Sequence, residues 1–209
     1  MRLPLVKILR GKMLRVARTQ DVVMIELLKN FDFVLHGGTA VWRIYGGKRF
    51  SFDIDIYYKN PKEILRHFTK NFTVVRKKLT PSNVLYLRLR DEEEIELEVS
   101  PMFKKVKSVE NEFWLVEGGT LIVKTLSPED LVREKINAFI NRKKSRDLYD
   151  IYYLIDFCDK DRIRNDLRKL LDNLNSKPAD FEGLKDLILI GKSPEFETVL
   201  RKVRRYAEA

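Results

Sequence analysis

Eight consecutive residues, Arg49-Phe50-Ser51-Phe52-Asp53-Ile54-Asp55-Ile56, carry the pattern that most restricts what this chain can become. In its second half, polar and apolar side chains alternate strictly. This predicts a β-strand with Phe52, Ile54 and Ile56 on one side and Ser51, Asp53 and Asp55 on the other. Two carboxylates one pleat repeat apart stand about 6–7 Å apart at the backbone, at a rise of about 3.3 Å per residue, so both can lean onto one small ion. Without a cation the two charges repel, and burying them on an apolar strand costs several kcal/mol. A divalent metal is the simplest compensation. Mg²⁺ takes one or two carboxylates and leaves its other positions to water and substrate phosphates.

The residues just upstream supply a second half-site. Phe33-Val34-Leu35 reads as a short buried strand, His36-Gly37-Gly38-Thr39-Ala40 as the turn leaving it, and residues 39–45 as the helix that follows. A glycine pair at such a turn lets backbone N–H groups approach a phosphate at the positive end of the helix. Arg49 adds a bidentate charge contact and Ser51 a hydroxyl donor. His36, a polar residue closing a strand, reads as a hydrogen-bonded support and not as a catalyst. A phosphate cradle followed by an Asp-x-Asp strand is what nucleotidyl transfer requires.

Taken in order, Gly37-Gly38-Thr39, Arg49, Ser51 and Asp53-Ile54-Asp55 resemble the first motif of the DNA-polymerase-β-type nucleotidyltransferase superfamily. Within it, the chain resembles the AbiEii/AbiGii toxin family of toxin–antitoxin and phage-abortive-infection systems. The superfamily usually has Gly-Ser where this chain has Gly38-Thr39, and the toxin branch often has this Gly-Gly version. The resemblance implies a third carboxylate on a neighbouring strand. Ile95-Glu96-Leu97-Glu98-Val99 offers two on one face. The family pattern favours Glu98, which precedes Val99-Ser100. Glu96 is the alternative, and two solvated acids on a half-exposed strand the third possibility.

A second stretch, Glu134 and Lys135 through Arg142 and then Arg146-Asp147-Leu148-Tyr149-Asp150, resembles the toxin family's helical motif, in which a Lys, an Arg and an Arg/Lys-Asp-x-x-Asp element recur. Lys135 and Arg142, seven apart, share one helix face, and Asp147 and Asp150, three apart, share another. A lysine beside Ile136 and Phe139 is costly to half-bury without an anion. That anion is a nucleotide phosphate, Asp147, or both in turn; the plainer alternative is an ion pair that pins two helices. The resemblance thus implies Mg²⁺ (or Mn²⁺) on Asp53, Asp55 and Glu98. It also implies an NTP on Gly37, Gly38, Thr39, Arg49, Ser51 and Lys135, with Arg142, Asp147 and Asp150 in support. The product would be a nucleoside monophosphate on an RNA (such as a tRNA 3′ end) or protein acceptor, and the biological role that of a toxin neutralised by a cognate antitoxin. Two rivals are a non-catalytic basic binding module and a metal-dependent nuclease using Asp53, Asp55 and Lys135. The first expects loss of a motif Asp or Gly, and none is lost; the second leaves the glycine pair unexplained.

Composition adds bounds. The chain has 209 residues, 44% hydrophobic and 34% charged, enough to bury a real core in one domain or two small lobes. No apolar run approaches the ~20 residues that span a bilayer. One cysteine, Cys158, excludes an intrachain disulfide and suggests a reducing cytoplasm, and with only two histidines, His36 and His67, it argues against structural zinc. A net charge of +10 suits a polyanionic partner.

Along the chain, a helical pattern to about Lys29 gives way to strand-like segments at residues 33–35, 72–75, 84–89, 95–99, 113–116 and 121–123, with a helix at 61–70. Ser127-Pro128-Glu129-Asp130 combines an N-cap residue, a proline at the first helical position and acids in the first turn. Helical patterns follow at 131–142, 147–157, 162–174, 181–188 and 194–206. The expected architecture is α+β: a nucleotidyltransferase fold, a mixed β-sheet flanked by helices, over residues 1–126, then a helical lobe over 127–209. Arg201, Lys202, Arg204 and Arg205 make the last helix basic, either a solvated face or a contact for RNA or a partner. Tyr149, Tyr152 and Tyr153 read as inter-helix packing, and Trp42 and Trp114 as core or lobe-interface residues.

Overall fold

A computed structural model describes residues 4–102 and 106–208. They form two compact units. One comprises the described residues up to 44 and from 50 to 126, the other residues 45–49 and the described residues from 127 onward. The short segment Tyr45–Arg49 therefore belongs with the helices that follow residue 126, an excursion that sequence patterning did not foresee.

The first unit is a mixed seven-stranded sheet with helices. Its elements run α1 (Gly11–Asn30), β1 (Val34–His36), α2 (Gly37–Arg43), β2 (Ile54–Tyr58), α3 (Pro61–Asn71), β3 (Thr73–Leu79), β4 (Leu85–Arg90), β5 (Glu94–Pro101), β6 (Val109–Trp114) and β7 (Thr120–Thr125). The strand order is β3-β4-β5-β2-β1-β7-β6. β2 lies parallel to β5 and β1 parallel to β7, while the remaining neighbours are antiparallel. Alternation decides which face is core: Ile54, Ile56, Leu85, Leu87, Leu89, Leu97 and Val99 are fully buried. Ile64 and Phe68 of α3 and Val16, Val23 and Leu27 of α1 are buried too, each contributing roughly 1.5–3 kcal/mol of transfer free energy. The opposite face of β2, β4 and β5 is polar and part-exposed.

One buried ion pair fastens α2. The Arg43 guanidinium, fully buried and stacked over Phe113 at 4.4 Å, donates to the Asp21 carboxylate and to the Trp114 carbonyl (2.6 Å). Asp21 in turn accepts from the Val116 N–H at 2.7 Å. Nothing in the local sequence pattern announces this pair.

The second unit contains α4 (Pro128–Arg142), α5 (Ser145–Leu154), α6 (Lys160–Asp172) and α7 (Phe196–Glu208). The start of α4 is as the sequence predicts: the Ser127 hydroxyl accepts from the Asp130 N–H at 3.2 Å and Pro128 occupies the first turn. The segment expected as a helix over 181–188 is a 3₁₀-helix, Phe181–Leu187. Its buried residues, Phe181 and Leu184, are three apart, a spacing that eclipses in a three-residue turn. Tyr153 does more than pack: its hydroxyl donates to the Gly46 carbonyl at 2.7 Å and holds the 45–49 excursion. Among the described residues no helix is long and apolar enough to cross a membrane.

Candidate active site

The strand carrying the two aspartates begins later than the alternation predicts. Asp53 lies just ahead of β2, and the inside–outside phase slips at Ser51, which is only 7% exposed while Phe52 is 37% exposed. The reason is local. Phe50 is the aromatic anchor, 4.5 Å from the Trp42 ring and 4.7 Å from Phe52, and the Ser51 carbonyl accepts from the buried Gln20 amide at 2.9 Å. Those bonds hold the segment out of the ladder until Ile54. Ser51, expected to offer a hydroxyl to phosphate, is thus buried against α1.

From Ile54 onward the register is regular. Asp55 lies directly opposite Glu98 on the parallel neighbour β5, and opposite His36 on β1. Adjacent strands are about 4.8 Å apart, so Asp55 and Glu98 form a side-by-side carboxylate pair on the polar face. Burial, and next the Asp55 charge, push the Glu98 carboxyl above the usual carboxylate range; His36 and the Ser100 hydroxyl partly offset this. Glu96 sits one pleat repeat away, where it pairs with Arg88 at 3.6 Å. The His36 ring stacks flat on Tyr57, with centroids 3.9 Å apart.

Gly37 explains how Asp55 fits. It opens α2 with φ of 70°, in the left-handed region, and a side-chain carbon built on it would fall onto the Asp55 carboxylate. α2 begins at Gly37 and not at Thr39 as the sequence predicts, and it is only seven residues long. The glycine is therefore needed by the aspartate itself, whatever binds beside it. Gly37→Ala should cost about 1–3 kcal/mol through backbone strain alone and more through the collision. In an Asp55→Ala background the same change should cost less, as measured by chemical unfolding. Equal costs in the two backgrounds would rule out the contact as the reason for the glycine.

Thr39 and Arg49 also differ from expectation. Thr39 is fully buried, and its hydroxyl donates to the Asp53 carbonyl. It positions the aspartate's backbone. Arg49 lies in the helical unit, 5% exposed, where its Nε and Nη2 donate to the two oxygens of Asp150 at 2.9 and 2.7 Å. Burial alone would lower the Arg49 pKa, but the charge and hydrogen bonds of Asp150, with the smaller contributions of Asp147 and Tyr149, together reverse it and raise the group.

That ion pair is the core of a charge cluster inside the helical unit. Lys135 Nζ lies 2.9 Å from Asp150 and 3.8 Å from Asp147. Arg142 grips Asp147 through two 2.7 Å bonds. Asp147 and Asp150 are both buried. Burial would raise the Asp150 carboxyl, but Arg49 and then Lys135 outweigh it and hold the group below the ordinary range. The lysine's nearer partner is thus Asp150, where spacing alone had suggested Asp147. On α7, Lys202 is tied to Asp156 at 2.6 Å and to the Tyr152 carbonyl at 2.8 Å, which leaves Arg201, Arg204 and Arg205 exposed.

Among the described residues, no three acid, His or Cys side chains come together as a group that could hold a metal ion. Asp53, Asp55 and Glu98 are all part-exposed.

The sheet, its carboxylate strand and the helices after it define a nucleotidyltransferase fold, and solved structures share it. JHP933 from Helicobacter pylori aligns over 95% of this chain and 91% of its own, with a TM-score of 0.62 and 19% identity. MenT4, a nucleotidyltransferase toxin from Mycobacterium tuberculosis H37Rv, aligns over 92% of this chain and 81% of its own, with a TM-score of 0.63 and 15% identity. The antibiotic-resistance factor ANT(2″)-Ia aligns over 83% of this chain and 97% of its own at a TM-score of 0.52 and 13% identity. No curated protein sequence matches the chain. Residues 27–207 match the family described as nucleotidyl transferase AbiEii toxin, type IV toxin–antitoxin system. The chain belongs to that family, and it is a toxin-type nucleotidyltransferase.

Proposed function

We propose that the protein transfers a nucleoside monophosphate from an NTP to a hydroxyl of an RNA or protein acceptor, and that a cognate antitoxin restrains it. The observation that carries this reading is the in-register pair Asp55–Glu98, with Asp53 just ahead of the strand and Gly37 making room for Asp55. In the transfer, the acceptor oxygen attacks the α-phosphorus, the bond from that phosphorus to the bridging oxygen breaks, and pyrophosphate departs. The acceptor's proton passes to solvent.

Asp53, Asp55 and Glu98 would hold the divalent cation, for which Mg²⁺ is the best fit to an open all-oxygen donor set. When bound, the cation supplies charge neutralisation on the phosphates and a lower pKa for the acceptor hydroxyl. Thr39 and Gly37 fix the backbone and the space on which the aspartates depend. Lys135 belongs to a buried charge cluster with Arg49, Arg142, Asp147 and Asp150. The resemblance of this helical motif to that of the toxin family supports a triphosphate contact for Lys135.

Incubation with each α-³²P-NTP, Mg²⁺ or Mn²⁺, and total cellular RNA or protein should label one acceptor class. The label should be lost in Asp53→Asn and Asp55→Asn. Degradation of RNA without labelling would favour a nuclease, and neither outcome would leave a binding module.

A further inference from the structure

The polar face that holds the carboxylates does not end with them. Strand register aligns Asp55, Glu98, Tyr86 and Lys78 in a single row across β2, β5, β4 and β3. The next row on the same face runs Glu96, Arg88 and Arg76. At about 4.8 Å per strand, Tyr86 stands one strand and Lys78 two strands from Glu98, a span of about 10 Å. The face thus grades from acidic in the middle of the sheet to basic at its β3 edge.

Between these residues runs a groove of 240 Å³ lined by Arg76, Lys78, Tyr86, Arg88 and Glu96. Arg76 and Lys78 are exposed, and among the described residues neither has a carboxylate within ion-pair distance. Arg88 makes a loose pair with Glu96 that is close to half exposed on both sides. Burial, then the charges of Glu98, Glu96 and Asp55, raise the Tyr86 phenol, so its ring stays neutral at physiological pH.

An aromatic ring beside a short track of guanidinium and ammonium groups is the combination that binds single-stranded nucleic acid. The ring stacks a base and the cations follow the phosphates. A protein strand added to the β3 edge is the less suitable occupant, because consecutive basic residues on an edge strand oppose pairing with another chain. We propose that this groove holds the terminal nucleotides of a single-stranded RNA, with Tyr86 under a base and Arg76, Lys78 and Arg88 on the backbone, and that it leads the strand's end toward Asp55 and Glu98. Calling that strand the acceptor rests on the nucleotidyl-transfer reading, whereas the binding itself does not.

The test separates the two. Fluorescence anisotropy of a short, 5′-labelled, mixed-sequence oligoribonucleotide is measured with EDTA and no NTP, so that catalysis plays no part. Tyr86→Leu should weaken binding about tenfold. Arg76→Ala combined with Lys78→Ala should weaken it at least as much and flatten the salt dependence by roughly one to two phosphates' worth. NTP affinity should be unchanged in both. Lys77→Ala is the control: it removes the same charge from the same strand, but Lys77 aligns with Leu87, on the other face. Melting curves confirm that each variant is folded.

The proposal is overturned if wild-type protein binds no RNA, or if Lys77→Ala is as damaging as the groove variants. It is also overturned if removing Arg201, Arg204 and Arg205 abolishes binding that the groove variants leave intact. Groove-dependent RNA binding in a protein that labels nothing from α-³²P-NTP would support the groove and remove the nucleotidyl-transfer reading.

Discussion

Glu98→Gln is expected to reduce nucleotidyl transfer by more than about a hundredfold, since changing groups that merely support a metal ligand already costs 10–100-fold. The same variant should melt no lower, and by a small margin higher, than the wild type when metal and nucleotide are absent. The Glu98 carboxyl is raised by burial and by Asp55, so its ionised form is disfavoured in the fold, and the neutral amide avoids both costs. The sign for pH follows from the raised value. The ionised form opposes folding above the folded-state pKa, and that penalty disappears as the pH falls through it. Glu98→Gln should therefore flatten this part of the stability profile of the metal-free protein.

Glu96→Gln should behave differently. Glu96 loses only a part-exposed partner, Arg88, worth at most about 1 kcal/mol, so transfer should stay within about tenfold of wild type. Rates measured with saturating NTP and metal, beside melting curves in EDTA, distinguish the two. Full activity in Glu98→Gln with loss in Glu96→Gln would move the third carboxylate to Glu96. A large drop in the metal-free melting temperature of Glu98→Gln would make Glu98 a structural residue.

The second large effect lies in the helical unit. Asp150→Ala is expected to cost about 3–5 kcal/mol in unfolding free energy, because it leaves Arg49 and Lys135 buried without the carboxylate that both contact. The stability that Asp150 contributes is complete above its unfolded value of about 3.9 and is lost as the pH falls through its lower folded value. Lys135→Ala should cost much less, about 1–2 kcal/mol. Asp150 keeps Arg49 and Asp147 keeps Arg142, each through two hydrogen bonds, so no carboxylate is stranded. If Lys135 also contacts the triphosphate, the same variant should bind NTP at least tenfold more weakly. Unchanged NTP affinity with a loss of several kcal/mol would confine Lys135 to a structural role. Chemical unfolding and nucleotide titration on the same preparations decide between them.

The sequence by itself determined the parts of this protein governed by local periodicity and local chemistry. The alternation of Ile54-Asp55-Ile56 and of Ile95 through Val99 set two half-buried strands and put Asp55 and Glu98 on their polar faces, because side chains on a strand repeat every two residues. Ser127-Pro128 set the start of α4, because a hydroxyl and a proline suit a helix's first turn. The family was legible in the order and spacing of the two motifs.

What only the tertiary structure decided are the partnerships between residues far apart in the chain. Arg49 and Asp150 are separated by 101 positions, and a phosphate-binding arginine and a buried, carboxylate-bound one look the same in a one-dimensional pattern. The same holds for Arg43 with Asp21, and for Thr39, whose hydroxyl could have faced outward until the fold placed the Asp53 carbonyl against it. Phe52 and Ser51 exchange their expected environments because Gln20, on α1, claims the Ser51 carbonyl. The row from Asp55 through Glu98 and Tyr86 to Lys78 exists only once four strands are in register. Pairing of non-adjacent strands is fixed by cooperative packing of their apolar faces, and no short window of sequence contains it.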